Sequence, residues 1–107
     1  MIGLLHPLRS GVTQHVVCYG TSLTACGAWV SQVAAALAMK YGNRVRVTNS
    51  GEGRQHSRWG LAHLRERALD LKPDVVLIEF AINDALTRFN LSPAESRANL
   101  TQMIDHI

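Results

Sequence analysis

The stretch Val16-Val17-Cys18-Tyr19-Gly20-Thr21-Ser22-Leu23-Thr24 constrains this chain more than any other. An apolar run meets a glycine, passes into small polar residues, and leads into a helical pattern. That succession marks a strand, a turn and a helix. In an open α/β sheet, ligands bind at the carboxyl ends of the strands. A serine placed there, Ser22, is a candidate nucleophile. The same place suits a helix N-cap, which is the commoner use of such a serine. The stretch by itself leaves both roles open.

The rest of the chain alternates in the same way. His15 to Tyr19 reads as the first strand, and a helix is expected from about Ala25 or Ala28 to Tyr41. Trp29, Val33, Ala36 and Leu37 give that helix one apolar face, and Gly42 closes it. Arg44 to Thr48 alternates with period two, and its arginines suit a sheet edge with one wet face. Asn49 to His56 then reads as a glycine-containing loop. Ser57 is expected to cap a helix running to about Leu71, with Leu61, Leu64, Ala68 and Leu71 as its stripe and Pro73 as its stop. Val75-Val76-Leu77-Ile78 is a continuous apolar run, expected to be a strand covered on both faces. Ala81 to Leu91 reads as a loop, and Ser92-Pro93-Ala94-Glu95 as a capping box that opens the last helix.

The order β-α-β-α-β-α with right-handed crossovers predicts an α/β fold, a flavodoxin-like three-layer unit. Its short parallel sheet has the order 2-1-3, with helices on both faces. Residues 1–14 are expected to be a lead-in segment broken by Pro7, Ser10 and Gly11, and 15–107 to form the α/β domain. His6 and His15 are expected to be surface histidines.

Composition excludes several functions. The net charge of +3 comes from scattered arginines, and only 6% of residues are aromatic, so no nucleic-acid patch is expected. Gly51-x-Gly53 lacks the third glycine of a dinucleotide fingerprint, and no Gly-Lys-Ser/Thr occurs. Cys18 and Cys26 fit neither a redox pair nor a zinc pattern, so neither a metal nor a disulfide framework is expected. No cofactor is implied. No run is long enough for a membrane span, and the start is too interrupted for a signal peptide. A cytoplasmic location is the default expectation, with a secreted or periplasmic one if an upstream signal precedes the chain.

Two further stretches follow apolar strands and should reach the same sheet end as Ser22. They are Asn49-Ser50-Gly51-Glu52-Gly53-Arg54 and Glu79-Phe80-Ala81-Ile82-Asn83-Asp84. Gly-Thr-Ser-Leu-Thr, Asn-x-Gly-x-Gly and Ala-Ile-Asn-Asp, in this order, resemble the SGNH hydrolases, the GDSL esterase/lipase family. The resemblance runs from about Val16 to the end and corresponds to the N-terminal part of that family.

It implies a serine ester hydrolase acting on a small acyl or acetyl ester. Ser22 would attack. The Ser22 N–H, the Gly53 or Arg54 N–H and the Asn83 amide would hold the oxyanion, with Asp84 supporting Asn83 and Thr21 the turn. The chain departs from the family in three places. Thr21 stands where Asp is usual, and Ala81 where Gly is usual. The oxyanion glycine matches Gly53 or falls on Arg54, where a positive φ would cost energy.

The family's Asp-x-x-His block, source of the catalytic base, has no counterpart here. Asp105-His106 is adjacent and expected on the far surface, His63 lies within a helix, and His56 is the better substitute base because its loop borders the site. Two other readings stay open. One is a non-catalytic module binding an anion or small ligand. The other is a fragment that self-associates as a homodimer through its open sheet edge.

Overall fold

The computed structural model describes residues 5–107. Three parallel strands form the sheet: β1 (Gln14–Gly20), β2 (Val45–Gly51) and β3 (Val75–Glu79), in the order β2-β1-β3. The expected order and parallel sense are both present. The register pairs Gly20 with Gly51 on one side and with Glu79 on the other, so all three strands finish at one level. β1 lies between its neighbours and is buried from His15 onward. Its alternation feeds two cores. Val17 and Tyr19 face Leu64, Ala68, Phe80 and Met103, while Val16 and Cys18 face Val30.

The second core lies under α3 (Trp29–Tyr41), whose inward line is Val30, Val33, Leu37 and Tyr41; Ala36, expected on that line, is exposed. The first core lies under α4 (Ser57–Ala62), α5 (Leu64–Arg67) and α7 (Pro93–His106). Two four-residue helices, α2 (Ser22–Ala25) and α6 (Ala81–Asp84), follow β1 and β3 directly.

Several sequence expectations are corrected. The lead-in contains a helix, α1 (Leu5–Arg9), and residues 1–4 of that segment lie outside the described residues. Pro7 is its third residue, where a backbone N–H has no intrahelical partner to lose. His15 is buried rather than on the surface, with its ring between Thr48 Oγ1 at 2.7 Å and the Leu71 carbonyl at 3.0 Å. β2 continues through Asn49-Ser50-Gly51, so the loop is shorter than expected.

The single helix expected over 57–71 is instead α4, α5 and a 3-10 turn at Leu69–Leu71. The Tyr19 hydroxyl takes the Gly60 carbonyl at 2.8 Å, the acceptor that an unbroken helix would offer to the Leu64 N–H. Leu64 and Ala68 nevertheless stay in the core. β3 is covered unequally on its two faces, with Val75 packed on the second core. Val76 and Ile78 pack on the first core, but Leu77 is 39% exposed because α3 alone covers that side. Among the described residues, the outer edge of β3 has no strand beside it.

Candidate active site

Gly20 ends β1 because nothing larger fits. A Cβ there would lie 2.4 Å from the Glu79 carbonyl oxygen and 2.5 Å from Thr24 Oγ1. The chain then turns, with Thr21 as N-cap of α2 and its hydroxyl accepting from the Leu23 N–H at 3.2 Å. Ser22, the first residue of α2, is exposed, while Thr21 and Thr24 on either side are fully buried. Serine is thus not the cap here. The capping role falls to Thr21, and the Ser22 hydroxyl is left at the surface.

Glu79, at the end of β3, holds this turn. Its Oε1 accepts from the hydroxyls of Thr21 at 2.8 Å and Thr24 at 2.9 Å, and from the Thr21 N–H at 3.1 Å. Thr21 thus hydrogen-bonds within the turn through both its hydroxyl and its N–H. Glu79 itself was missed, although a carboxylate closing an otherwise apolar strand is the kind of signal that marks a buried polar contact. Asn49 acts from the other side: its amide donates to the Thr24 carbonyl at 2.8 Å. Gly51 allows α2 to rest on β2, since a Cβ there would lie 2.3 Å from the Ala25 nitrogen.

Residues 52–56 pass beside Ser22. A Cβ on Gly53 would lie 3.9 Å from the Ser22 Cβ, in ordinary contact. Arg54 has φ +65°, the left-handed conformation, which costs a non-glycine residue about 1 kcal/mol. The positive φ is therefore at Arg54 and not at Gly53. The N–H groups of Ser22, Gly53 and Arg54 have no protein acceptor among the described residues. Asn83, in α6, donates through Nδ2 to the Gln55 carbonyl at 2.6 Å, which fixes its amide and ties the loop to the end of β3. One Asn83 amide hydrogen remains uncommitted by that bond.

Asp84 is buried and joins three elements. It accepts the Ser57 N–H of α4 at 2.7 Å and the Ser96 hydroxyl of α7. The Ser57 hydroxyl in turn accepts from Asn99 at 3.0 Å. Ser57 was expected to cap α4, but the cap is His56, whose Nδ1 accepts the Trp59 N–H at 3.2 Å. A neutral imidazole has one lone pair on nitrogen. Here it is committed to capping, so Nε2 carries the proton. Burial first, and then the nearby Arg58 guanidinium, hold the His56 pKa below its usual value. His56 is thus neutral near pH 7, but its basic nitrogen faces its own helix.

His15 and His106 are not at this end. α7 starts beside Asp84, and His106 at its far end meets Leu61, Leu64, Arg65 and Leu69. His63 pairs with Glu66 at 2.6 Å. His15 precedes the apolar part of β1, at the opposite end of the sheet. Among the described residues no cluster of His, Cys, Asp or Glu could hold a metal ion, and no helix is long and apolar enough to cross a membrane.

A model of the GDSL-like lipase/acylhydrolase family matches residues 18–107. No curated protein matches. Among solved structures, a lipase/acylhydrolase from Enterococcus faecalis is 31% identical with a TM-score of 0.75, over 89% of this chain and 52% of its own. A variant of an acetyl xylan esterase from Geobacillus stearothermophilus is 24% identical with a TM-score of 0.79, over 89% of this chain and 55% of its own. An alpha/beta hydrolase from the Lake Arreo metagenome, 22% identical with a TM-score of 0.79, is covered to the same extent. The chain thus spans about half the length of these structures.

Proposed function

Since the chain belongs to the GDSL-like lipase/acylhydrolase family, we propose that it carries the nucleophile and oxyanion side of a serine ester hydrolase. The observation that carries this reading is the exposed Ser22 at the start of α2 with the Gly53 backbone packed beside it. Ser22 Oγ attacks the acyl carbon as its proton passes to the base; the ester C–O bond then breaks, the alcohol leaves with that proton, and the acyl-enzyme remains. The N–H groups of Ser22 and of Gly53 or Arg54, with the free Asn83 amide hydrogen, receive the charge that develops on the carbonyl oxygen. Water then releases the acid. Asp84 keeps α6 in place beneath Asn83, and Thr21 keeps the turn.

The base comes from outside residues 5–107 in this reading. His56 is spent on its helix cap, His63 is paired with Glu66, and His106 lies at the far end of α7. The same fact favours a second reading for these residues taken alone: a site that binds a small acid or ester and turns it over slowly or not at all. A small acyl or acetyl ester is the substrate class in the first reading, supported by the acetyl xylan esterase likeness. Pairing of a second copy along β3 is part of neither mechanism. It rests on the half-exposed Leu77 beside the free edge, and a sedimentation profile independent of concentration excludes it.

Hydrolysis of 4-nitrophenyl acetate by the purified protein and by Ser22→Ala, with fluorophosphonate labelling of both, tests the proposal. Turnover and labelling that vanish in Ser22→Ala support the hydrolase. Labelling without turnover supports a nucleophile lacking its base. Neither one leaves the binding reading.

A further inference from the structure

Around the carboxyl end of the sheet, the carboxylates are all engaged. Glu79 holds Thr21 and Thr24, Asp84 holds Ser57 and Ser96, Glu95 holds Arg58 at 2.6 Å, and Glu52 lies 3.6 Å from Arg67. Several cations are left without such a partner. Arg54 and Arg88 are exposed, and neither has a carboxylate partner among the described residues. Arg54 follows the glycine packed on Ser22. Arg88 lies over the Phe89 ring at 4.9 Å, and Phe89 meets the His56 ring at 4.7 Å. His56 ends the loop that contains Arg54, and its Nε2–H is a further donor. Residues from Ser22 through the loop to Arg88 therefore form one continuous rim whose uncompensated charge is positive.

We propose that this rim selects esters carrying a carboxylate a few bonds from the scissile carbonyl, with Arg54 as the primary specificity residue and Arg88 as the outer one. The proposal rests on Ser22 being the nucleophile. Arg54 holds its left-handed backbone at an energetic cost that glycine would avoid. A planar guanidinium offers paired donors to a carboxylate, which no neutral side chain provides. The four engaged carboxylates leave no competing partner for it.

The test compares mono-4-nitrophenyl glutarate, which is anionic, with neutral 4-nitrophenyl butyrate. The ratio of their kcat/KM values is read for the wild type, Arg54→Gly and Arg88→Gln. Arg54→Gly keeps the positive φ, and any effect through the backbone N–H acts on both esters and cancels in the ratio. The expected outcome is a wild-type preference for the glutarate ester that falls about five- to tenfold in Arg54→Gly, through KM. It falls less in Arg88→Gln, and it weakens as salt is raised. A ratio unchanged in Arg54→Gly overturns the proposal. If neither ester is hydrolysed, fluorophosphonate labelling of Ser22 decides the hydrolase reading separately, and glutarate binding is followed by amide shifts at Gly53 to Gln55. Shifts present in the wild type and lost in Arg54→Gly support the anion rim. Shifts equal in the two, or absent from both, overturn it.

Discussion

The Glu79 carboxylate accepts the Thr21 hydroxyl at 2.8 Å and so joins the last residue of β3 to the turn that presents Ser22. The two residues are 58 positions apart in sequence. Their contact turns three separate strand ends into one platform, because β1 supplies the turn, β3 the carboxylate and β2 the resting place for α2.

Removing that carboxylate leaves two buried hydroxyls unpaired. Glu79→Ala should lower the folding free energy by about 2–4 kcal/mol, since each unsatisfied buried group costs about 1–3 kcal/mol. Glu79→Gln keeps an acceptor oxygen and should cost less than half as much. Urea denaturation of both variants checks this; equal losses would mean that the hydrogen bonds are not what Glu79 contributes.

Asp84 is a second such junction, between α4, α6 and α7. Asp84→Ala strands the Ser57 N–H and should destabilise by about 2–3 kcal/mol. Ser96→Ala removes one partner of a carboxylate that keeps the other, and should cost about 1 kcal/mol. A double-mutant cycle between the two positions should show coupling, and additive losses would refute the shared network.

The glycines near Ser22 divide by what surrounds them. Gly20→Ala and Gly51→Ala each push a methyl into backbone at 2.4 and 2.3 Å, and both should unfold or severely destabilise the protein. Gly53→Ala meets only the Ser22 Cβ at 3.9 Å and should fold with nearly unchanged melting temperature. Thermal denaturation of the three separates the glycines that packing requires from one that only borders Ser22.

His56 gives a pH dependence with a fixed sign. Its folded-state pKa lies below the unfolded value of 6.5, because burial and Arg58 disfavour the imidazolium. The unfolded chain therefore binds the proton first. The contribution of His56 to stability is complete above pH 6.5, declines as pH falls through 6.5 toward the lowered folded pKa, and is flat below that. Protonation also removes the acceptor that caps α4. In His56→Asn, which caps without titrating, this decline should be absent from urea midpoints measured between pH 7 and pH 5.

The parallel order was legible because each strand is a short apolar or alternating run and a helical pattern separates it from the next. Val16 to Gly20 and Val75 to Ile78 needed no tertiary knowledge. The break in the 57–71 helix did, since the group that interrupts it is the Tyr19 hydroxyl from another strand. The partners of Glu79, Ser57, Ser96 and Asn99 were illegible for the same reason. Each of these residues reads locally as an ordinary polar residue and becomes a structural one only through partners 12 to 58 positions away. His15 shows the effect in reverse, a polar residue beside a loop that the fold draws inward. Arg54 was legible as a departure, and its positive φ appeared where the motif raised that question.

The central placement of β1 also has a consequence for motion. β2 and β3 each pair with β1 and not with each other. Either flank can therefore open without the other, whereas β1 is released only when both are lost. Amide hydrogens of Val16 to Tyr19 should exchange at the slowest rates in the chain, through global unfolding alone. Ser22 follows directly from this last element to come apart. Transient loosening of a flank would move Asn83 or the Gly53 loop while the serine stayed in place, so breathing of the site would open its walls around a stationary centre.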